Sequence, residues 1–318
     1  LAPVINFARV LDVLDPGQRD FAFDGMDLPD RVLDWFGGLE PGDRAFCYVH
    51  LLKPHAPYRV PAEFEGLWSG AGSEEALMPP TVTGVGPFAS ATHPGEAHVR
   101  HLIDNYDERI RFGDHQLGQI VDRLRAVGRN PLVVVLSDHG EEFGENGLFD
   151  HGHSLQEAVV RVPLVVSWPG QIPGGVVAAN VTRIVDLPAS LLEWAGMEVP
   201  EVFDGIEIDL ARAAEEASRP VLLELEHGPG FGAQGLLRDE LKLVRSEQGG
   251  RRIAEVFDLS GDPLEENSLA VAGEDPLVWL EAEMDELFEL LTGRGTWSGT
   301  TTIDRATEER LRALGYVN

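Results

Sequence analysis

Apolar residues follow two different spacings along the chain, and together these predict a layered α/β fold. Short uninterrupted apolar runs predict strands buried within a sheet: residues 46–50, 132–136 and 161–170. Apolar residues at helical spacing predict amphipathic helices: residues 30–36, 96–127 and 186–196. Because the strands and helices alternate, we expect a mainly parallel sheet that is flanked by helices.

The last third of the chain predicts a second, smaller sheet. A link rich in Ala and Glu at residues 210–220 precedes a new set of strand patterns. The strands are predicted at residues 221–226, 236–244 and 254–259. A helix predicted at residues 276–291 packs on this sheet. We therefore predict one domain over residues 1–215 and a smaller subdomain over residues 216–318.

The amino-acid composition of the chain restricts the kinds of partner that it can bind. The 318 residues are 43% hydrophobic, which is enough to bury a sizeable core. The formal net charge of −29 argues against nucleic-acid binding, since phosphate contacts require Lys and Arg. It also disfavours docking on an anionic membrane surface. No apolar run is long enough to span a membrane, and a single cysteine, Cys47, excludes an internal disulfide framework.

The strand at residues 132–136 ends in the pair Asp138 and His139, followed by Gly140. Ligands of open α/β sheets bind beyond the carboxyl ends of the strands, where this pair is expected to lie. A carboxylate oxygen and a neutral imidazole nitrogen can both bind one divalent cation. The pair therefore predicts a metal site. The alternative is an Asp that caps the next turn beside a solvated His.

Two further loops carry histidines next to predicted strands. His55 follows the run at residues 46–50, between Pro54 and Pro57, which restrict the backbone around it. His151 and His153 precede the strand at residues 161–170. Each loop alone is compatible with a solvated polar turn. Taken together, the three loops predict that Asp138, His139, His55 and His151 converge at the carboxyl edge of one sheet.

The motifs that carry these residues resemble those of the sulfatase family of the alkaline-phosphatase superfamily. The matching segments follow one another in family order: residues 53–58 (KPHAPY), 137–141 (SDHGE), 151–164 (HGHSLQEAVVRVPL), 255–270 (EVFDLSGDPLEENSLA) and 311–317 (LRALGYV). One departure is Gln156, which stands where the family usually has Tyr. The resemblance implies an alkaline-phosphatase-like layered fold, with an antiparallel sheet and a helix in the smaller subdomain.

The resemblance also implies residue roles. Asp138 and His139 would bind a divalent metal ion, with Ca²⁺ as the first choice and Mn²⁺ or Zn²⁺ as alternatives. His55 would contact the sulfate ester and protonate the leaving oxygen. His151 would be a second catalytic and sulfate-contacting residue, with His153 as a neighbour in substrate binding. Glu141 and Glu142 are expected to be solvated or to support the metal ligands, and not to be catalytic.

The family's nucleophile motif, Cys- or Ser-x-Pro-Ser-Arg, whose first residue becomes formylglycine, does not occur in this sequence. Cys47 is followed by Tyr-Val-His-Leu and does not match it. We therefore expect a C-terminal portion of a longer sulfatase, with formylglycine supplied by a preceding segment. Such a portion would bind metal weakly and be inactive alone. A leader or anchor in that segment would make the protein periplasmic, secreted or membrane-anchored, although this portion would itself be soluble.

The favoured function is that of a metal-dependent sulfuric ester hydrolase, with a sulfated glycan or an aryl sulfate as substrate. One alternative is a phosphodiester or phosphonate monoester hydrolase, or a phosphoglycerol transferase, of the same superfamily. Those enzymes share the histidine loops and differ at the nucleophile. A second alternative is a fragment or pseudoenzyme that binds an anionic ligand without turnover.

Overall fold

A computed structural model describes residues 27–40, 42–49, 51, 54–68, 78–178, 181–201, 203–210, 219–226 and 230–293. The chain divides into two compact units, Leu1–Leu269 and Ala270–Asn318. The predicted domain boundary near residue 215 falls within the first unit, so the division into residues 1–215 and 216–318 stays a prediction. The motif at residues 311–317 and most of the predicted link at residues 210–220 lie outside the described residues.

The predicted helices of the first unit are confirmed. Helix α1 spans Leu28–Gly37, and α2 is one continuous helix over Glu96–Ala126. The two helices pack through Val32, Ile120 and Leu124. Helix α2 ends where Gly128 adopts a φ of 78°, a left-handed conformation that glycine tolerates without a steric penalty. Two shorter helices follow, α3 over Glu157–Val160 and α4 over Asp186–Trp194.

Six short strands belong to the same unit. They are β1 (Val82–Thr83), β2 (Ser90–Ala91), β3 (Val133–Leu136), β4 (Glu142–Phe143), β5 (Phe149–Asp150) and β6 (Leu164–Ser167). They form antiparallel pairs: β1 with β2, β3 with β6, and β4 with β5. Residues 46–49, which belong to the strand predicted at residues 46–50, form neither helix nor strand. The α/β character is confirmed, whereas no parallel pair occurs among the described strands.

A four-stranded antiparallel sheet completes the first unit. Its strands are β7 (Val221–Glu226), β8 (Phe231–Arg238), β9 (Leu241–Gln248) and β10 (Arg251–Asp258), in the order β10-β9-β8-β7. The single strand predicted at residues 236–244 is wrong, because the chain reverses at Asp239 and Glu240. Asp239 has a φ of 54°, which a short polar side chain tolerates in a tight hairpin turn.

The described part of the second unit contains helix α5, which spans Leu277–Gly293 and confirms the helix predicted at residues 276–291. Leu277, Leu280 and Met284 are buried on it. Its predicted packing on the four-stranded sheet stays a prediction. No helix in the described ranges is both long enough and apolar enough to cross a bilayer.

A buried ion cluster ties the four-stranded sheet to the rest of the first unit. Lys242 on β9 is fully buried, and its Nζ lies 2.8 Å from Glu157 Oε1 and 2.9 Å from Glu265 Oε1. Glu265 Oε2 also accepts the backbone N–H of Glu157, at 2.6 Å. Because these charges are withdrawn from water, each depends on its partners for compensation.

Replacing Lys242 by Met should therefore destabilise the protein strongly. Met fills a similar volume but leaves the buried carboxylate of Glu265 and the partly buried carboxylate of Glu157 without a cation. Removing one partner of a buried ion pair typically costs about 3–5 kcal/mol. Urea unfolding of the natural protein would measure the loss. Arg252→Met is the matched control, because its pair with Glu247 spans 3.7 Å between largely exposed side chains. We expect it to cost at most about 1 kcal/mol, and equal losses in the two variants would contradict this account.

Candidate active site

Three histidines that are distant in sequence lie together in space. The ring of His139 stacks on that of His151, with centroids 3.9 Å apart and an interplanar angle of 27°. The ring of His55 lies 5.1 Å from His151 and 6.4 Å from His139, edge-on to both. The structure thus brings together the three histidine loops, as predicted. The strand pair beneath Asp138 and His139 is the antiparallel pair β3 and β6, which differs from the parallel edge expected.

The turn after β3 carries Asp138 and His139 next to each other. His139 Nδ1 lies 2.8 Å from the carbonyl oxygen of Gly140, which can only accept, so the neutral tautomer that fits this contact has its proton on Nδ1 and its lone pair on Nε2. That Nε2 lies 3.9 Å from Asp138 Oδ1. An anionic oxygen and a neutral imidazole nitrogen at this separation can serve as neighbouring ligands of one divalent cation. The pair therefore fits the predicted metal site.

Gly140 makes this turn possible. Its N–H donates to Val159 O at 2.7 Å, and an added Cβ would lie 2.1 Å from Ala158 O. Any side chain at this position would collide with the backbone of α3.

The loop that carries His55 is fixed by helix α2. His55 Nδ1 lies 2.7 Å from the carbonyl oxygen of Ala56, which leaves Nε2 as the nitrogen available to a ligand. Arg109 of α2 is fully buried and donates to Pro57 O and, at 2.9 Å, to Arg59 O. Burial lowers the pKa of Arg109 to about 10, so the guanidinium keeps its proton at neutral pH.

Two carboxylates face His151. Its Nδ1 lies 3.0 Å from Glu141 Oε1 and 3.1 Å from Asp150 Oδ1. Burial alone would lower the pKa of His151, but its hydrogen bonds to Asp150 and Glu141 raise it to about 10. His151 is therefore cationic at neutral pH. Burial opposes the ionised form of Asp150, yet its hydrogen bond with His151 keeps its pKa below the ordinary value.

The register of β4 and β5 explains this contact. Glu142 pairs with Asp150 in the antiparallel ladder, so the residues just outside it, Glu141 and His151, face each other. Sequence reasoning took Glu141 as solvated or supporting and did not single out Asp150. The side chain of Glu141 is only 4% exposed. Within the described ranges, Glu141, Asp150 and His151 also form a set of side chains whose donor atoms lie within 4.8 Å of one another, close enough to share a metal ion.

The structure places His153 against a different segment. Its Nδ1 lies 3.2 Å from Gly84 O, and its own carbonyl oxygen accepts the N–H of Gly86 at 2.6 Å. His153 is also one of the groups that lower the pKa of Asp150, so it lies near the same carboxylate. Its predicted part in substrate binding stays a prediction.

Sequence comparison links the chain to proteins that act on sulfate esters. A family model described as Sulfatase matches residues 23–197, and one described as N-sulphoglucosamine sulphohydrolase, C-terminal, matches residues 144–289. Arylsulfatase K of Homo sapiens is 30% identical over 309 residues, which cover 85% of this chain and 55% of that protein. Choline-sulfatase of Rhizobium meliloti is 29% identical over 181 residues, which cover 55% of this chain and 34% of that protein.

The chain thus spans about a third to about half of the length of these relatives. Solved structures show the same fold. A phosphonate monoester hydrolase from Silicibacter pomeroyi aligns with a TM-score of 0.62 and 18% identity, over 90% of this chain and 67% of that one. The protein BT4656, in complex with its substrate D-glucosamine-2-N,6-O-disulfate, aligns with a TM-score of 0.55 and 22% identity, over 64% of this chain and 43% of that one.

One acid beside the site gives a pH-dependent prediction. Burial raises the pKa of Glu142 from 4.5 to about 7, and the nearby carboxylates of Glu145, Glu265 and Glu141 add to the effect. The folded protein therefore binds this proton more tightly than the unfolded chain, so Glu142 makes stability fall as pH rises through that range.

Glu142→Gln should remove this dependence. The free energy of unfolding of the variant relative to the natural protein should rise between pH 4.5 and pH 7 and level off above it. Urea unfolding across this range would measure the difference. Glu96→Gln, on an almost fully exposed side chain, is the control and should show no such rise. A flat difference for Glu142→Gln would contradict the raised pKa.

Proposed function

The chain belongs to the sulfatase family. We propose that the protein containing it hydrolyses sulfate monoesters with the help of a divalent metal ion. The observation that carries the proposal is the convergence of His55, His139 and His151 beside Asp138. Hydrolysis of a sulfate ester requires charge to balance the sulfuryl oxygens, a nucleophile in line and a proton for the leaving oxygen. This cluster offers groups for the first and third of these needs.

Asp138 and His139 are the proposed metal ligands. The contact of His139 Nδ1 with Gly140 O, which leaves Nε2 for a metal ion, and the nearby carboxylate of Asp138 support this role. Similarity to the family makes Ca²⁺ the first choice, with Mn²⁺ or Zn²⁺ as alternatives. When bound, the ion would hold and polarise the sulfuryl oxygens. We further propose that a formylglycine outside residues 1–318 is the nucleophile.

His55 and His151 are the proposed catalytic residues of this chain. The Nδ1 of His55 is held by Ala56 O, so a proton on Nε2 can pass to the leaving oxygen. The cationic ring of His151 would stabilise negative charge on the sulfuryl oxygens. His153, which follows on the same loop, is the proposed neighbour in substrate binding.

The remaining features are proposed because the chain belongs to the sulfatase family. We propose the layered, mainly parallel sheet for the whole protein, with a catalytic part up to residue 215 and a subdomain at residues 216–318. A sulfated glycan or an aryl sulfate is the proposed substrate. The proposed location is the periplasm, the cell exterior or a membrane anchorage.

A second candidate function is hydrolysis of phosphonate or phosphate esters. The specific observation in its favour is the fold shared with the phosphonate monoester hydrolase from Silicibacter pomeroyi. The family relatives at 29% and 30% identity are sulfatases, and they favour the first function.

The deciding experiment compares substrates and variants of the natural protein, matured to formylglycine. We expect turnover of 4-nitrophenyl sulfate to exceed that of 4-nitrophenyl phosphate and of a phenylphosphonate monoester. His55→Ala should lower kcat by roughly 10²–10⁴-fold, because it removes the proton donor. Asp138→Asn combined with His139→Ala should abolish turnover and reduce the Ca²⁺ content measured by mass spectrometry.

His115→Ala is the matched control, since this exposed histidine contacts Phe64 and has no proposed role in the site. It should retain the natural activity. A preference for the phosphonate monoester would favour the second function. Full activity of His55→Ala would remove the proposed proton donor.

A further inference from the structure

The side chain of Glu141 connects the three histidine loops. Its Oε2 accepts the hydroxyl hydrogen of Tyr58 at 3.0 Å, and its Oε1 lies 3.0 Å from His151 Nδ1. Glu141 itself follows His139 by two residues, in the turn after β3. One carboxylate thus contacts the loop of His55 through Tyr58 and the loop of His151 directly, and its backbone continues the turn of the proposed metal ligands.

The position of Tyr58 is as constrained as that of Glu141. Its side chain is 1% exposed and packs with Leu102 and Phe143. Its ring meets that of Tyr106 at 5.8 Å, edge-on. Burial and the neighbouring Glu141 keep the pKa of Tyr58 above its ordinary value, so the hydroxyl stays protonated and donates to the carboxylate. One oxygen of Glu141 is therefore committed to Tyr58, which leaves the other to His151.

We propose that Glu141 is a positioning residue that, anchored by Tyr58, holds a proton on His151 Nδ1 and leaves Nε2 as the nitrogen that meets the sulfate group. Without such a partner the pKa of the ring would be lower, a neutral ring would exchange its single proton between the two nitrogens, and a ring of either charge would be free to flip. A buried carboxylate at hydrogen-bond distance removes both freedoms. The inference rests on the proposed function, because His151 is the proposed sulfate contact.

Asp150 is the secondary partner of the same nitrogen. Its Oδ1 lies 3.1 Å from Nδ1, and its backbone adopts a φ of 70°. Its side chain is 38% exposed, compared with 4% for Glu141. Because water competes for an exposed carboxylate and screens its charge, the hydrogen bond of Glu141 is the stronger restraint on the ring.

A metal ion held by Glu141, Asp150 and His151 is the competing use of the same atoms. It requires Nδ1 to carry a lone pair instead of a proton. The two possibilities thus predict opposite states of a single nitrogen.

Nitrogen-15 NMR of the natural protein, labelled at histidine, tests the proposal without any assay of activity. The His151 signals are assigned by their loss in His151→Gln. We expect Nδ1 to resonate as a protonated nitrogen throughout the neutral range. In Glu141→Gln the signals should move toward a mixture of tautomers, and Tyr58→Phe should move them in the same direction by less. Glu96→Gln is the control and should leave them unchanged.

Kinetics then separate positioning from a general structural role. Glu141→Gln should lower kcat/KM for 4-nitrophenyl sulfate by about 10–100-fold, as is common for groups that orient a ligating or catalytic histidine. If Glu141 acts through His151, Glu141→Gln combined with His151→Ala should be no worse than His151→Ala alone. The proposal would be overturned if the loss of kcat/KM in the double variant equalled the product of the losses in the two single variants.

Two NMR outcomes would also overturn the proposal. One is an unprotonated Nδ1 in the natural protein. The other is the loss of the Nδ1 proton when one equivalent of Zn²⁺ is added, because this would show that Nδ1 binds the metal ion. If the protein fails to hydrolyse sulfate esters but Nδ1 is protonated and responds to Glu141→Gln, the proposed function fails and the positioning by Glu141 stands.

Discussion

The close approach of the Gly140 backbone to helix α3 is the contact on which the arrangement of the site depends. There is no room for a Cβ between Gly140 and Ala158 O, and the Gly140 N–H donates to Val159 O. This hydrogen bond joins the turn that carries Asp138 and His139 to the segment that follows the His151 loop. The antiparallel pairing of β3 with β6 joins the strand before this turn to the strand that follows α3. The proposed metal ligands and the proposed sulfate contact are therefore connected through backbone contacts.

Hydrogen bonds made by buried charged side chains restrain the rest of the site. Each such bond offsets part of the cost of burying the charge, so it restricts the segment that supplies the partner. Glu141 restricts the loops of Tyr58 and His151 in this way, and Arg109 restricts the backbone at Pro57 and Arg59. The proposed catalytic residues, His55 and His151, are thus positioned through their Nδ1 atoms and neighbouring segments, and Nε2 is the nitrogen proposed to meet a ligand.

The histidines could be predicted from the sequence because each follows or precedes an apolar run and lies in a motif with family spacing. Sequence reasoning did not find Glu141 as a partner of His151, since a glutamate after a turn has the same pattern whether it is solvated or buried. The contact follows from the register of β4 and β5, which are too short to show periodicity. The direction of the sheet was equally out of reach, because an apolar run such as Val133–Leu136 indicates burial and not which way its neighbour runs. The turn at Asp239 lacks the Gly or Asn that usually marks a hairpin, so the sequence predicts one strand at residues 236–244 where the structure has the end of β8 and the start of β9.

The buried position of Lys242 has a practical consequence for labelling the protein. The chain has only this lysine and Lys53, so few side-chain amines are available to acylating reagents. Lys242 can react only when its ion cluster opens and water reaches the sheet. Its rate of acylation, followed by peptide mass spectrometry, would therefore report the opening frequency of the four-stranded sheet in the native state.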